Sequence, residues 1–242
     1  RAGTTRVSSP KSTQGGSFGL GANQAAQPPN LHMNKPSSLL TGQMGRQTLL
    51  THNSGDWHGC FIRCGGDGLE QERFKSQLSV QDQGGKIVAA LTNLSNGQVR
   101  SMEFNEPPAK MQISPAGHWS LGPDRIGAWP WACELCLVWG ERRRRAVIRH
   151  GSERLESLVL ISEARPWMEE HLPPEPLQAL ASPAPTGPGL IWSLPAALGV
   201  TLQTADCRQS GVPEEVDLCW QPEPGIHLEI RRRYGAYGAL EP

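Results

Sequence analysis

The sequence predicts an all-β protein of about eight antiparallel strands closing on themselves as a barrel. Three observations carry that prediction. Segments from Trp57 onward alternate in polarity with period two, glycine-rich turn signals separate them at near-regular spacing, and no helical period lies between them. Strands in such a meander lose their exposed edges by closing into a barrel.

The elements follow in order. "WHGCFIRC" places His58, Cys60, Ile62 and Cys64 on one face of a first strand, and the turn Gly65-Gly66-Asp67-Gly68 comes soon after. "RFKSQLSV" and "KIVAALTNL" alternate in the same way around Gly84-Gly85. Asn96-Gly97, a dipeptide that tolerates positive φ, leads into "QVRSMEF". "GHWSL", "WACELCLVW", "RRAVIRH" and "LESLVLIS" complete the set, with turns at Gly140 and Gly151-Ser152. Residues 163–190 contain seven prolines and read as a linker with at most a turn or two of helix around Pro176–Ala181. Beyond it the pattern returns: "WSLGPDRIG" is echoed by "WSLPAALGV", "ELCLVW" by "EVDLCW", and "RRRRAVIRHG" by "LEIRRRYGAYG". The chain therefore divides into an arm without its own core (1–50), a barrel (51–165), a proline-rich linker (166–188) and a partial β repeat (189–242). The repeat has too few strands for a second barrel and is expected to pack on the first or extend it.

Charge is unevenly spread. Lys plus Arg and Asp plus Glu number 23 each, yet residues 1–55 carry Arg1, Arg6, Lys11, Lys35 and Arg46 and no acid. The remainder holds 18 basic and 23 acidic residues. A basic arm on an acidic body points to contact with something anionic. The arm is Gly, Ser, Gln, Asn, Pro and Thr with scattered apolar residues, so it is expected to stay extended and to gain order only against a partner. Its partner-binding residues would be those five cations together with Phe18, Leu20, Leu31, Met33, Leu39 and Leu40. Ser-rich, acid-free composition is also how plastid and mitochondrial transit segments read. The longest apolar run, "GLIWSLPAALGVTL", is short of the ~20 residues of a membrane span and contains Pro195.

The six cysteines read as buried thiols. Cys60 and Cys64 share a face but sit roughly 13 Å apart, too far for a disulfide. Cys133 and Cys136, three apart on a strand, point to opposite faces, so no metal is expected there. Arg142–Arg145 splits its charges between two faces without interleaved aromatics, which reads as a solvated hairpin or partner contact and not as a nucleic-acid surface. His58, His118 and His150 form no catalytic spacing, and no P-loop, nucleophile triad or carboxylate pair is present, so no enzyme activity is expected.

"NSGDWHGCFIRCGGDG", "WACELCLVWGERRRRAVIRHGSERLESLVLISEAR" and "LEIRRRYGAYGAL" together resemble an uncharacterised lipocalin-like (calycin) family of cyanobacteria and algal plastids. The likeness covers Leu49–Arg165 and, more loosely, Gly189–Leu240. More distantly the chain is similar to phycobiliprotein chromophore lyases and fatty-acid-binding barrels. The resemblance implies a lipocalin-like barrel in which the Gly-x-Trp at Gly55–Trp57 starts the first strand. Trp57 would then close the barrel base, with Arg149 or Arg165 stacked on it. The second half lacks a Gly-x-Trp of its own. Arg232 and Tyr234 resemble the Arg-x-Tyr with which fatty-acid-binding barrels hold a carboxylate. The resemblance implies a photosynthetic host and no particular reaction. The functional expectation is a non-catalytic peripheral subunit of a photosynthetic membrane complex, photosystem I favoured, on the stromal side of the plastid thylakoid. Complex subunits or antenna proteins would be its partners, and it would carry no cofactor. The alternative is a carrier or lyase-like chaperone that holds a tetrapyrrole, carotenoid or lipid in the barrel cavity. An open interior of several hundred Å³ with a few convergent polar groups would favour the alternative; a filled one would favour the subunit.

Overall fold

The computed structural model describes residues 39–170, 172, 175–183, 190–194, 199–207 and 209–242. One helix, α1 (Gly42–Asn53), precedes a nine-stranded antiparallel sheet. The sheet consists of β1 (Gly55–Gly65), β2 (Glu70–Gln83), β3 (Lys86–Asn93), β4 (Val99–Phe104), β5 (Met111–Ile113), β6 (Trp119–Leu121), β7 (Trp131–Trp139), β8 (Arg142–His150) and β9 (Leu155–Ala164). Its order is β4-β3-β2-β1-β9-β8-β7-β6-β5. A second antiparallel sheet follows in simple order: β10 (Leu180–Pro183), β11 (Leu190–Ser193), β12 (Val200–Thr204), β13 (Glu214–Trp220) and β14 (Leu228–Tyr234).

The first sheet curls into a half-barrel and does not close, which corrects the expected closed barrel. Its two ends are β4 and β5, and no strand pairing joins them among the described residues. Pro107-Pro108 lies between them. Proline offers no backbone N–H for a ladder, so the chain leaves β4 without turning directly back into a paired strand. Strand β5, three residues long, carries no signal that period-two reading could detect.

Register assigns the two faces. Trp57, Phe61 and Arg63 of β1 face inward. Leu78 and Phe74 of β2, Ile87 and Leu91 of β3, and Arg143 and Arg145 of β8 share that concave side. The convex side carries Cys60, Ile62, Cys64, Leu135, Ile148 and Leu158, and these pack against Trp192, Leu202, Val216, Leu218 and Trp220 of the second sheet. Strands β7 to β9 are thus covered on both faces, which is why Leu155–Ala164 is buried at nearly every position, its serines and Glu163 included.

Two expectations about the flanking segments need correction. Residues 42–53 form a helix and are not extended. Its buried positions, Gly45, Leu49 and Asn53, recur every four residues, but only one of the three is a large apolar residue, so the stripe is nearly silent in the sequence. Arg46, expected to reach a partner, donates to Asp82 at 2.7 Å and to the carbonyls of Asn105 and Gly85. Leu40 N–H donates to the Ile113 carbonyl at 2.9 Å. Leu39 is half exposed. Arg1, Arg6, Lys11, Phe18, Leu20, Leu31, Met33 and Lys35 lie outside the described residues. The linker is also partly docked: Leu177 and Ala179 are buried in the core between the sheets, and Gln178 bridges to Leu69.

Candidate functional site

The concave side of the half-barrel is floored by Trp57, which is fully buried. Its indole N–H donates to the Asn53 carbonyl at 3.0 Å, tying the floor to the end of α1. Two guanidinium groups lie over its ring, that of Arg165 at 3.8 Å and that of Arg143 at 4.2 Å. Arg165 also donates to the Ser54 carbonyl at 2.6 Å. Gly55 explains the Gly-x-Trp start: its φ is +91°, and a Cβ there would lie 2.8 Å from an Arg165 nitrogen. Arg149, the other candidate partner for Trp57, sits elsewhere. It is six residues beyond Arg143 along β8, exposed at the mouth of the cup. The second cation over Trp57 is Arg143, which sequence reasoning had assigned to a solvated run.

That run is buried, because its charges are matched. Glu163 of β9, with no solvent exposure, accepts from Arg143 Nε at 2.5 Å and from Arg145 Nε and Nη2 at 3.0 and 2.8 Å. Arg145 also pairs with Glu134 of β7. Burial alone would raise the Glu163 carboxyl, but Arg143 and Arg145 outweigh it and hold it near 2. Arg144 points to the opposite face, over the Trp220 ring at 4.8 Å and paired with Glu170 at 2.6 Å. The alternation between faces was legible from strand geometry. The buried counter-charges were not, because Glu163 and Glu134 come from neighbouring strands.

Asn53 is a further residue that sequence reasoning missed. Its amide donates to the Gly117 carbonyl at 3.0 Å, and its Oδ1 accepts from Trp119 Nε1 at 3.2 Å and Arg143 Nη1 at 3.5 Å. It joins α1, the β5–β6 turn and the arginine network beneath the cup.

Above this floor the cup is open space. A cavity of about 230 Å³ lies between α1 and strands β2, β3, β4, β6 and β7. Leu78, Val80, Ile87, Ala89, Met102 and Leu121 give it apolar walls, and Glu134, Arg143 and Arg145 supply polar groups. A second cavity of about 440 Å³ forms the mouth, and Leu91 and Arg100 line both. The stacked pair Phe61 and Phe74, with ring centroids 5.0 Å apart, forms part of its wall. A third space of about 550 Å³ adjoins the gap beside β4, sharing Met102, Pro108, Leu121 and Glu134 with the deep cavity.

The proposed carboxylate pair of β14 does not face this space. Arg232 and Tyr234 are fully buried. Arg232 Nε donates to the Tyr234 hydroxyl at 2.8 Å, and its other nitrogens donate to Lys110 O, Ser120 Oγ and Pro123 O. The fork that would hold a ligand carboxylate is occupied by backbone carbonyls, so the pair anchors β14 to the loop around β6. The histidines do not converge either. His58 is exposed on β1. His118, pushed down to about 4 by burial and then by His52, accepts from Val138 N–H. His150 stacks on Trp131 at 4.7 Å and lies 3.1 Å from Thr204 Oγ1.

All six cysteines are free thiols. Cys133 lies in the core between the sheets and Cys136 in the core of the cup, and burial pushes both up to about 12. The ligand atoms of Cys219, His227 and Glu229 come within 4.8 Å of one another at the β13–β14 hairpin, a set able to hold a metal ion. Glu229 there is also paired with Arg231 at 2.7 Å.

Fold and cavity together define an open β-barrel protein whose concave face is an apolar cup with arginines at its floor and mouth. The chain belongs to the DUF3598 family: the model of that family's N-terminal domain, a domain of unknown function, matches residues 46–167. A solved structure of a DUF3598-family protein of unknown function from Nostoc punctiforme is similar in fold. Its TM-score is 0.67 at 15% sequence identity, over 83% of this chain and 96% of that one. No curated protein matches the chain.

Proposed function

We propose that the half-barrel is a binding protein that holds a small, largely apolar molecule in its cup, in the manner of a lipocalin-like (calycin) carrier. One observation carries this reading: the interior holds an apolar-walled cavity of about 230 Å³ with a few convergent polar groups, adjoined at Leu91 and Arg100 by a mouth cavity of about 440 Å³, and is not filled by its own side chains. A tetrapyrrole, carotenoid or lipid suits such walls. The reading is of binding and not of catalysis: the interior carboxylates Glu163 and Glu134 are committed to arginines, and the interior thiol Cys136 is held protonated. The second sheet then backs the cup as a partial repeat. Its β13–β14 hairpin repeats the acidic-strand, Trp, Arg-rich-strand order of β7–β8, whereas β12 separates the echoed β11 from β13. The proposal of a photosynthetic-complex subunit rests on residues 1–38, since Leu40 and Arg46 are committed to the half-barrel itself.

Fluorescence titration with N-phenyl-1-naphthylamine, a neutral apolar probe, tests the binding reading. Ala89→Trp places an indole in the deep cavity. It is expected to weaken probe binding at least about tenfold, equivalent to ~1.4 kcal/mol, with an unchanged circular dichroism spectrum. Failure of the wild-type chain to bind the probe, or equal binding by the variant, would contradict the reading.

A further inference from the structure

We infer that the mouth of the cup holds the anionic head group of an amphiphile, through Arg63, Arg100 and Arg149, with the apolar body directed toward α1. The inference rests on the binding reading above and adds the ligand's chemistry and orientation to it.

The charge distribution carries the argument. The 440 Å³ cavity at the mouth is lined by those three arginines, from β1, β4 and β8, and by one carboxylate, Glu72, directly across from Arg63. None of the three guanidinium groups has an ion pair or side-chain hydrogen bond among the described residues. The deeper arginines differ. Arg143 and Arg145 are neutralised by Glu163 and Glu134, so these two offer an anion no net charge, and the unpaired charge lies at Arg100, where the two cavities meet, and at the mouth. An anionic group therefore gains most at the mouth, where free guanidinium forks can take it bidentately. An apolar body gains most further in, against Leu78, Ala89 and Leu91. Leu91 and Arg100 line both cavities, so one molecule can occupy both. The six residue steps from Arg63 down to Trp57 on β1 correspond to roughly 20 Å at the usual strand rise, a depth that suits an extended chain or a linear conjugated system.

The shared chemistry is a carboxylate on an apolar body, and a fatty acid or the propionate of a tetrapyrrole would supply it. The test titrates the full chain with 11-(dansylamino)undecanoic acid and its methyl ester, and with biliverdin and its dimethyl ester. Each acid that uses the site is expected to bind about tenfold tighter than its ester, with an affinity that falls as salt rises. Arg63→Gln, Arg100→Gln and Arg149→Gln, all at exposed positions, should each reduce acid binding about five- to tenfold and leave ester binding unchanged. Preference confined to the dansyl acid supports a fatty-acid head group, and preference confined to biliverdin supports a tetrapyrrole. Equal binding of acid and ester in both pairs would overturn the head-group assignment while leaving the cup as a binding site. Absence of binding by all four compounds would overturn both.

Discussion

Glu163→Gln is expected to destabilise the fold by about 3–5 kcal/mol, as loss of one partner from a buried charge network does. The carboxylate has no solvent exposure and, among the described residues, is the charged partner that Arg143 and Arg145 share. Arg145 would keep Glu134, but among the described residues the Arg143 guanidinium would keep its contact with Asn53 and the face of Trp57 and no carboxylate. The close approach of strands β1 and β9 is built around this carboxylate: Gly59 faces it, and a Cβ at that position would overlap the Glu163 side chain. The pH dependence has a definite sign. Glu163 is held near 2 in the folded chain, below its ordinary value near 4.5. Its contribution to stability is therefore complete above that ordinary value and is lost as pH falls from there through 2. The stability difference between wild type and Glu163→Gln should be full at pH 7 and should shrink between about pH 4.5 and 2. Urea unfolding of both proteins across that range checks it. A difference that stayed constant with pH would mean the charge pairing is not what the carboxylate contributes.

Trp57→Ala is expected to cost about 3–5 kcal/mol, the usual range for removing a fully buried aromatic. Three elements meet at this ring. The indole holds the Asn53 carbonyl at the end of α1, and its face receives Arg143 of β8 and Arg165 just after β9. Loss of the ring should also loosen α1, seen as faster amide hydrogen exchange across Gly42–Asn53 than across β7–β9. Arg149→Ala, which touches none of these groups, should leave the melting temperature nearly unchanged. A Trp57→Ala protein with wild-type melting temperature would remove the ring from its place as the closing element of the cup.

Much of the fold was legible because period-two alternation survives wherever a strand has unlike faces. Strands β1 to β4 and β6 to β9 all lie where the alternation and the turn glycines place them. What was not legible depends on contacts between distant segments. Helix α1 has only Leu49 as an apolar side chain on its buried stripe, and its place is set by Asn53 and Arg46 reaching β8, β2 and the loop after β4. The open edge of the sheet follows from Pro107-Pro108, whose effect on closure depends on where β5 finds its partner. At Trp57 the family resemblance left Arg149 and Arg165 both open as partners, and Arg165 is the one that lies over the ring. The candidate site was misjudged at Arg143 and Arg145, because burial of an arginine cannot be told from sequence without its carboxylate. It was misjudged again at Arg232 and Tyr234, because a guanidinium fork satisfied by carbonyls has the same sequence as a free one.

The central claim is that the concave face binds a small molecule, and methyl-resolved NMR of the full chain during titration with laurate tests it most directly. The account predicts shifts in the inward methyl groups of Leu78, Ile87 and Leu91. It predicts little change at Ile62, Ile148 and Leu218, which lie between the two sheets. Shifts confined to the methyl groups between the sheets, or no saturable shift at any inward methyl group, would contradict it.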